Sequence, residues 1–222
     1  YTKGQAIAFV KYVYCEAPVY SLGNQVFNDI DNSGDLNGAE MGIDGVQLQL
    51  LNSDGSIYDS DPNTVGDQAL IVTTANGGYY RFDDLLAGDY IVEVIASNFT
   101  NGNNLDNFIS STGVNQEANP NTDGDINDNG LDTPIIGAIR SGIVTLGIPE
   151  PNGETEPGTY GAGSTTGTAV ADNLNNLTVD FGFFGASCSL NTANLMAISC
   201  NDNNSIGDSS DDYLTFTITP TG

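Results

Sequence analysis

The chain has 222 residues, enough for one large or two smaller domains, and its 29 acidic residues against 4 lysines and arginines give a formal net charge of -25. This charge repels nucleic acid phosphates and anionic membrane surfaces, so we expect neither as a partner. No apolar run approaches the roughly 18 residues that a membrane-spanning helix needs, so we expect no membrane insertion.

The excess negative charge opposes a compact fold unless cations neutralise it at defined places, so we expect bound divalent metal. The chain opens at Tyr1 without a basic and apolar leader, which we interpret as a processed or excerpted part of a secreted protein. In an oxidising compartment the three cysteines would leave one over. We expect a disulfide between Cys188 and Cys200, with no assigned partner for Cys15.

The first predicted element is an apolar strand at residues 6–14, whose two faces are both suited to burial between layers. Glu16-Ala17-Pro18 interrupts it, which predicts a domain boundary near residue 18. A second β-like segment at residues 21–27 leads into an acidic loop. These features predict a first domain core that begins after residue 18.

The clearest strand is predicted at residues 45–51, where Val46, Leu48 and Leu50 alternate with glutamines in the pattern of a half-buried sandwich strand. Residues 97–133 are so rich in Asn, Asp and Gly that they indicate either a disordered linker or a segment organised by bound ions. No segment has a convincing helical period. Further strands are predicted, between clusters of turn-forming residues, at 70–74, 78–82, 89–95, 142–146 and 177–184.

The pattern restarts after Gly185, with β-like segments at residues 187–200 and 213–219 around an acidic loop. Two strands cannot bury an independent core, so a partner or further chain must complete this piece, and the strand at residues 6–14 is one candidate. We therefore predict three parts: an N-terminal strand segment, a metal-binding β-sandwich and the start of a second immunoglobulin-like β-domain, at residues 1–18, 19–185 and 186–222.

The strongest chemical signal lies at residues 29–40, which match the EF-hand calcium loop D-x-[DN]-x-[DNS]-G-x5-E at each fixed position. In that loop oxygen atoms at alternating positions surround Ca²⁺, the last residue closes the shell, and Gly34 supplies the sharp turn. Strands rather than helices flank the loop, which indicates a structural site rather than a sensor. A solvated acidic turn is the alternative. The predicted ligands are Asp29, Asp31, Ser33, Asp35 through its carbonyl, Asn37 and Glu40.

Two further clusters offer oxygen ligands without a fixed template, and an ordinary polar loop is the alternative for each. The first cluster is predicted as a second metal site and contains Asp123, Asp125, Asn127, Asp128 and Asp132. The other is a weaker candidate near the end of the chain and contains Asn201, Asp202, Asn203, Asp208, Asp211 and Asp212.

The sequence does not favour nucleophilic catalysis, because the chain has no His to act as a base and no G-x-S-x-G nucleophile motif. Paired acids could serve glycoside hydrolysis, but no Trp is present to form a sugar platform. We therefore predict that the protein is not an enzyme. Tyr79, Tyr80 and Tyr90 would indicate carbohydrate binding if they formed an exposed patch, whereas strand tyrosines more often serve packing.

Three stretches carry a resemblance to a known family: SLGNQVFNDIDNSGDLNGAEMGIDGVQLQLL from residue 21, GGYYRFDDLLAGDYIVEV from residue 77 and NLTVDFGFF from residue 176. Over about residues 21–185 they resemble a B-type repeat of the serine-aspartate repeat adhesins. The resemblance implies a Greek-key β-sandwich, prealbumin-like or immunoglobulin-like, stiffened by Ca²⁺ on an extracellular bacterial surface. Related collagen-adhesin domains often carry a Lys–Asn isopeptide bond, but Lys3 and Lys11 precede the matched region, so calcium would have to replace it.

Together these observations predict a calcium-rigidified structural module of a surface adhesin or filament. Because both ends look incomplete, the strand at residues 6–14 of one copy could complete the C-terminal piece of the next copy, giving an open-ended polymer. A domain that binds a carbohydrate or a host protein is the alternative.

Overall fold

The computed structural model describes residues 17–121, 126–131, 137–147, 149–151 and 174–185 in full, and residues 195–201 and 213–218 by their backbone. The chain divides into two compact units, residues 1–186 and 187–222. The predicted limits of the three parts remain predictions. Among the described residues, no helix has the length and apolar character needed to cross a membrane.

The described residues of the first unit form short strands and, at Ala96–Phe99, a turn of 3₁₀ helix. Short strands joined by polar loops are what β-branched and aromatic residues between Gly, Asn and Asp clusters favour. The strands are β1 Tyr20–Gly23, β2 Val26–Asn28, β3 Met41–Gly42, β4 Gln47–Asn52, β5 Ile71–Thr73, β6 Phe82–Leu85, β7 Gly88–Val94, β8 Phe108–Ser110, β9 Ile139–Arg140, β10 Val144–Leu146, β11 Asn175–Leu177 and β12 Phe181–Gly185.

These strands form three sheets, with orders β11-β1-β6, β3-β2-β12-β8 and β10-β7-β4-β5, and β9 also pairs with β7. Most neighbours pair antiparallel, whereas β1 with β11 and β2 with β12 run parallel. Neighbouring strands are often far apart in sequence, so the sheets tie the beginning of this unit to its end. The arrangement confirms the predicted all-β sandwich.

One hydrophobic cluster joins all three sheets. Strand β4 shows the predicted alternation, because Leu48 and Leu50 are fully buried while Gln47 is exposed and Gln49 is half-buried. Aromatic rings fill the centre, and the Tyr80 and Phe82 rings meet edge to face at a centroid distance of 5.9 Å. Burial of these large apolar side chains is the main stabilising contribution to the unit.

Two predicted strands, at residues 21–27 and 177–184, are each divided in the structure. The first splits into β1 and β2 and the second into β11 and β12, at the same level of the sandwich. There the Asn24 N–H donates to the Val179 carbonyl over 2.8 Å, and Oδ1 of Asp180 accepts from the Gln25 N–H over 2.9 Å. Because a side chain takes over a strand hydrogen bond, the chain passes from one sheet to the next.

The strand predicted at residues 78–82 was placed too early. Gly77 and Gly78 both have positive φ and their N–H groups donate to Oδ1 of Asp44, so the chain turns there and β6 begins only at Phe82. The period-two pattern extended the strand into a turn that glycine geometry determines.

The described part of residues 97–133 is folded, so the interpretation as a disordered linker is wrong for that part. Leu105 is fully buried in the core, and β8 pairs with β12. Asn98 supports the segment because its Oδ1 accepts from the Gln47 N–H and its Nδ2 donates to the Gln47 carbonyl, at 2.9 and 2.8 Å. Its side chain therefore acts as a strand partner for β4.

The second unit contains β13 Leu195–Asn201 and β14 Tyr213–Ile218, which pair antiparallel. These two strands overlap the two β-like segments predicted after Gly185, at residues 187–200 and 213–219. A two-stranded hairpin is at best marginally stable by itself in water.

Candidate metal centre

The candidate centre is the connection at residues 29–40 between β2 and β3. These two strands pair antiparallel, with Phe27 opposite Gly42 and Asn28 opposite Met41. The first residue of the loop is anchored from the other side, because the Asp29 N–H donates to the Phe183 carbonyl oxygen over 2.9 Å. The loop is therefore held between neighbouring strands of one sheet.

Three carboxylates converge in this loop: oxygen atoms of Asp29, Asp31 and Glu40 lie within 4.8 Å of one another. Asp29 is fully buried, Asp31 is exposed and Glu40 is half-buried. Like charges so close repel each other unless hydrogen bonds or a cation compensate. Hard carboxylate oxygens at this spacing are ligands that Ca²⁺ prefers.

Backbone N–H groups hold these carboxylates in position. The two oxygens of Asp29 accept from the N–H groups of Ser33 and Gly34, each over 2.9 Å. The Glu40 carboxylate reaches back across the loop, where Oε1 accepts from Ile30 over 2.6 Å and Oε2 from Asn37 over 2.9 Å. The loop is thus organised around its acidic side chains before any cation is considered.

The remaining predicted ligands form an adjoining set of oxygen-bearing groups. Ser33 Oγ lies 3.3 Å from the Asp35 carbonyl oxygen, and Asn37 Nδ2 lies 2.8 Å from Ser33 Oγ. The Asp35 carboxylate instead accepts from Ser33 Oγ at 2.6 Å and from Asn115 Nδ2 at 3.0 Å. The Ser33 hydrogen bond, followed by that of Asn115, lowers the pKa of the Asp35 carboxyl below its ordinary value of 3.8.

Gly34 occupies the turn position of the loop with a φ of +87°. A Cβ at this position would lie 2.7 Å from the backbone nitrogen of Gln116. Both the left-handed backbone and the close approach of a second segment therefore require glycine here.

That second segment, described at residues 113–121 and 126–131, packs along the loop. The Asp128 N–H donates to the Gly34 carbonyl over 2.9 Å, and the Leu36 N–H donates to the Ile126 carbonyl over 2.8 Å. Asp35 and Asn127 form an antiparallel bridge between them. Part of the second predicted cluster is thus brought beside the first.

The two described members of the second cluster have different surroundings. Asn127 is half-buried, and its Nδ2 donates to the Asn115 carbonyl over 2.6 Å. Asp128 is fully buried, and its Oδ1 accepts from Gly130 and Gly182 N–H groups, each over 2.9 Å. Its Oδ2 accepts from Gln116 Nε2 over 2.6 Å, so this carboxylate already joins three segments of the fold.

Several predicted site residues lie outside the described residues, and their roles remain predictions. Only the backbone of Cys200 and Asn201 is described, in β13. The others outside the description are Asp123, Asp125, Asp132, Cys15, Cys188, Asp202, Asn203, Asp208, Asp211 and Asp212.

Asn115 and Gln116 contact the loop but were not predicted. Asn115 donates from Nδ2 to Asp35 Oδ1, and its N–H donates to the Ser33 carbonyl over 3.0 Å. Asn115 is 80 residues from Asp35 in the sequence, and both Asn115 and Gln116 lie in a stretch of uniformly polar composition. Only the density of Asn there pointed to a function for this stretch.

In the described part of the chain, the positively charged side chains pair with carboxylates outside the loop. Arg81 pairs with Asp83 over 2.7 Å, and Arg140 pairs with Glu93 over 2.5 Å. The two lysines, Lys3 and Lys11, lie among residues 1–16, outside the description. The described residues therefore offer the converging carboxylates of the loop no cationic side chain, and the hard-oxygen donor set fits a divalent cation.

The three tyrosines singled out above do not form an exposed patch. Tyr80 and Tyr90 are buried, and Tyr79 is half-buried. The Tyr80 hydroxyl donates to the Val179 carbonyl over 2.6 Å, so this ring serves the core. The feature on which a carbohydrate-binding face would depend is therefore missing at these residues.

Comparison with known families adds independent information. A family model described as the SdrD B-like domain matches residues 20–138, more than half of the chain. The chain belongs to the SdrD B-like domain family. The match ends before the stretch NLTVDFGFF, which begins at residue 176. In the structure β11 and β12 contain most of that stretch and pair with strands of the matched region, β1 and β2.

Individual relatives of this SdrD B-like domain match over shorter segments. Serine-aspartate repeat-containing protein I of Staphylococcus saprophyticus is 37% identical over 79 residues, which are 36% of this chain and 4% of that protein. The fibrinogen-binding protein of Staphylococcus epidermidis is 35% identical over 79 residues, 36% of this chain and 6% of that protein. Colossin-B of Dictyostelium discoideum is 32% identical over 75 residues, 33% of this chain and 2% of that protein. The matches thus span only a few per cent of these relatives.

Proposed function

We propose that the chain is a calcium-stabilised structural module of an extracellular bacterial surface adhesin, and that it has no catalytic role. The observation that carries the proposal is the convergence of Asp29, Asp31 and Glu40 in a loop of EF-hand spacing. Membership of the SdrD B-like family supports it, as does the similarity to serine-aspartate repeat-containing proteins.

In this proposal one calcium ion is held by the side chains of Asp29, Asp31, Ser33 and Glu40, with the Asp35 carbonyl and Asn37 completing the shell. The ion would supply positive charge that offsets the repulsion between the carboxylates. With a Kd near 10⁻⁴ M and about 1 mM free calcium, one site adds about 1.4 kcal/mol to the free energy of unfolding.

The stabilisation would reach the whole sandwich because the loop touches distant segments. The backbone of Asp29 is hydrogen-bonded to β12. The backbones of Gly34 and Leu36 are hydrogen-bonded to residues 126–128. A bound ion would therefore stiffen the joint between the beginning and the end of the first unit. Resistance to extension is the property that a stalk between a cell and its target needs.

Calcium titration calorimetry on the full chain tests this proposal. We expect saturable binding that is lost or weakened at least tenfold in Glu40→Gln, because position 12 closes the ligand shell. Asp67→Asn is the matched control, since it removes one negative charge from an exposed residue in another loop. Equal binding by Glu40→Gln and the control would refute the site at residues 29–40.

Self-association is a second proposal, in which the strand at residues 6–14 of one copy completes the β13–β14 hairpin of another. The hairpin supports it, because among the described residues β13 and β14 pair only with each other, and two strands alone are at best marginally stable in water. Deletion of residues 1–14 should abolish polymers in sedimentation velocity runs. Polymers that persist without these residues would refute the proposal that this strand completes the hairpin of another copy.

A ligand-binding adhesive domain is the alternative. One relative is named a fibrinogen-binding protein, but the match covers 6% of it. Tyr80 and Tyr90, on which a carbohydrate-binding face would have drawn, are buried. The structural proposal is therefore favoured.

A further inference from the structure

The chain contains Asn-Gly pairs, which can undergo deamidation. The backbone nitrogen of the glycine attacks Cγ of the asparagine and forms a C–N bond, while the Cγ–Nδ2 bond breaks. The displaced NH₂ group takes up the proton of the glycine N–H and leaves as ammonia. Water then opens the resulting succinimide ring, giving aspartate or its β-linked isomer. Glycine favours this reaction because it has no Cβ to obstruct ring closure.

The described residues include four such pairs, and in three of them the attacking nitrogen is already bonded. The Gly77 N–H donates to Asp44 Oδ1 over 2.8 Å, that of Gly102 to Asp106 Oδ2 over 3.0 Å, and that of Gly130 to Asp128 Oδ1 over 2.9 Å. Each of these hydrogen bonds has to break before the nitrogen can attack. The asparagines of these pairs are Asn76, Asn101 and Asn129, and a fifth pair at residues 152–153 lies outside the described residues.

The fourth pair, Asn37–Gly38, differs from the others. The Gly38 N–H donates no hydrogen bond to any residue in the described ranges, and both residues of the pair are exposed. Apart from the chain neighbours, no atom lies within 4 Å of the position where a Cβ of Gly38 would stand. The Asn37 Nδ2 donates to Ser33 Oγ over 2.8 Å and makes longer contacts of 3.4 and 3.5 Å with the Asp35 Oδ1 and carbonyl oxygen. All three contacts are exposed, so water can replace them. Both reacting groups can therefore rearrange towards attack.

We propose that Asn37 is the preferred deamidation site of this chain. The co-reactant is water and the product released is ammonia. The consequence rests on the proposed function: the reaction would replace a neutral ligand of the calcium loop by a carboxylate. This carboxylate would stand close to Glu40, whose Oε2 accepts from the Asn37 N–H over 2.9 Å. Chemical ageing of the protein would then alter calcium binding.

Peptide mapping by mass spectrometry tests the site directly. The full chain is incubated at mildly alkaline pH with a chelator, and loss of the amide is followed at Asn37, Asn76, Asn101 and Asn129. We expect Asn37 to react several-fold faster than the other three. Asn101 is the most stringent comparison, because it is also exposed but its glycine N–H is bonded. If Asn37 reacts no faster than Asn101, the proposal is overturned.

A pair of matched variants tests the mechanism. Gly38 and Gly102 both have positive φ, at +58° and +85°, and apart from their chain neighbours neither has an atom within 4 Å of its Cβ position, so alanine meets no clash at either. Gly38→Ala should slow the reaction at Asn37 several-fold, whereas Gly102→Ala should leave it unchanged. An unchanged rate in Gly38→Ala would contradict attack by that nitrogen.

Repeating the incubation with calcium separates this inference from the proposed function. Calcium should slow the reaction at Asn37 alone, because a bound ion would hold its side chain in the loop. If Asn37 remains the fastest site but calcium has no effect, the deamidation site stands and the calcium site fails.

Discussion

The Asp29 N–H donates a hydrogen bond of 2.9 Å to the Phe183 carbonyl oxygen. Asp29 is the first position of the EF-like loop, and Phe183 lies in β12, the last strand of the first unit. The loop is therefore joined to the strand that closes the sandwich. Any cation that orders this loop would stabilise contacts between residues far apart in sequence, which have the highest entropic cost of formation.

The turn glycine of the loop gives a first prediction. Gly34→Ala should destabilise the fold by about 2–4 kcal/mol, because alanine at positive φ costs about 1–2 kcal/mol and its Cβ would also meet Gln116. Gly66→Ala is the control, since Gly66 has a similar φ of +91° and open space around it. Urea unfolding measures both, and an equal loss in the two variants would show that the contact with residue 116 contributes nothing.

The ion pair between the buried Glu93 and the half-buried Arg140 gives a second prediction. Glu93 is 5% exposed, and its two oxygens contact Arg140 Nε and Gln49 Nε2, each at 2.5 Å. Arg140→Met should cost about 3 kcal/mol because it leaves a buried carboxylate without its cation. Adding Glu93→Gln to that variant should recover a large part of the loss. Urea unfolding compares the double variant with the single variants Arg140→Met and Glu93→Gln. If the losses of the two single variants simply add in the double variant, the two side chains are not coupled.

Tyr80 gives a prediction on alkaline stability. Burial, reinforced by the negative charge of Asp180, raises the pKa of the Tyr80 hydroxyl well above its ordinary value of 10.0. Since the folded pKa lies above the unfolded one, the associated stability is complete below pH 10.0 and is lost as the pH rises beyond it. Tyr80→Phe should flatten the alkaline fall in unfolding free energy, although it loses the hydrogen bond to Val179. An equally steep alkaline fall in Tyr80→Phe would exclude this group as its source.

Asn98 gives a prediction for the polar segment after β7. Asn98→Ala should cost about 2 kcal/mol, because it removes the hydrogen bonds of a buried side chain to the N–H and the carbonyl of Gln47. Asn101→Ala, at an exposed position of the same segment, should change the unfolding free energy by less than about 0.5 kcal/mol. Thermal unfolding compares the two, and a similar small effect in both would mean that Asn98 does not hold the segment to β4.

The features that could be predicted from the sequence are those set by local patterns. The alternation at residues 45–51 predicted the buried face of β4, and the spacing from Asp29 to Glu40 predicted which carboxylates converge. Both follow from the geometry of a short stretch of chain. The family resemblance supplied the sandwich, which the family match and the sheets confirm.

The features that could not be predicted depend on contacts between distant segments. Asn98 and Asn115 stand in a run of polar residues, and nothing in that run distinguishes an asparagine that bonds the backbone of β4 from one in solvent. The division of the strand at residues 177–184 depends on where Asp180 meets Gln25. Hydrogen bonds of this kind carry no periodic signal along the chain.

Thermal unfolding of the full chain, with about 1 mM calcium and then with excess chelator, tests the central claim most directly. Stabilisation of about 1.4 kcal/mol per site should lower Tm by about 3–6 °C on chelation, in wild type and in Asp67→Asn alike. Glu40→Gln should lose most of this difference. A Tm that is the same with calcium and with chelator would contradict the calcium-stabilised module and leave residues 29–40 as a solvated acidic turn.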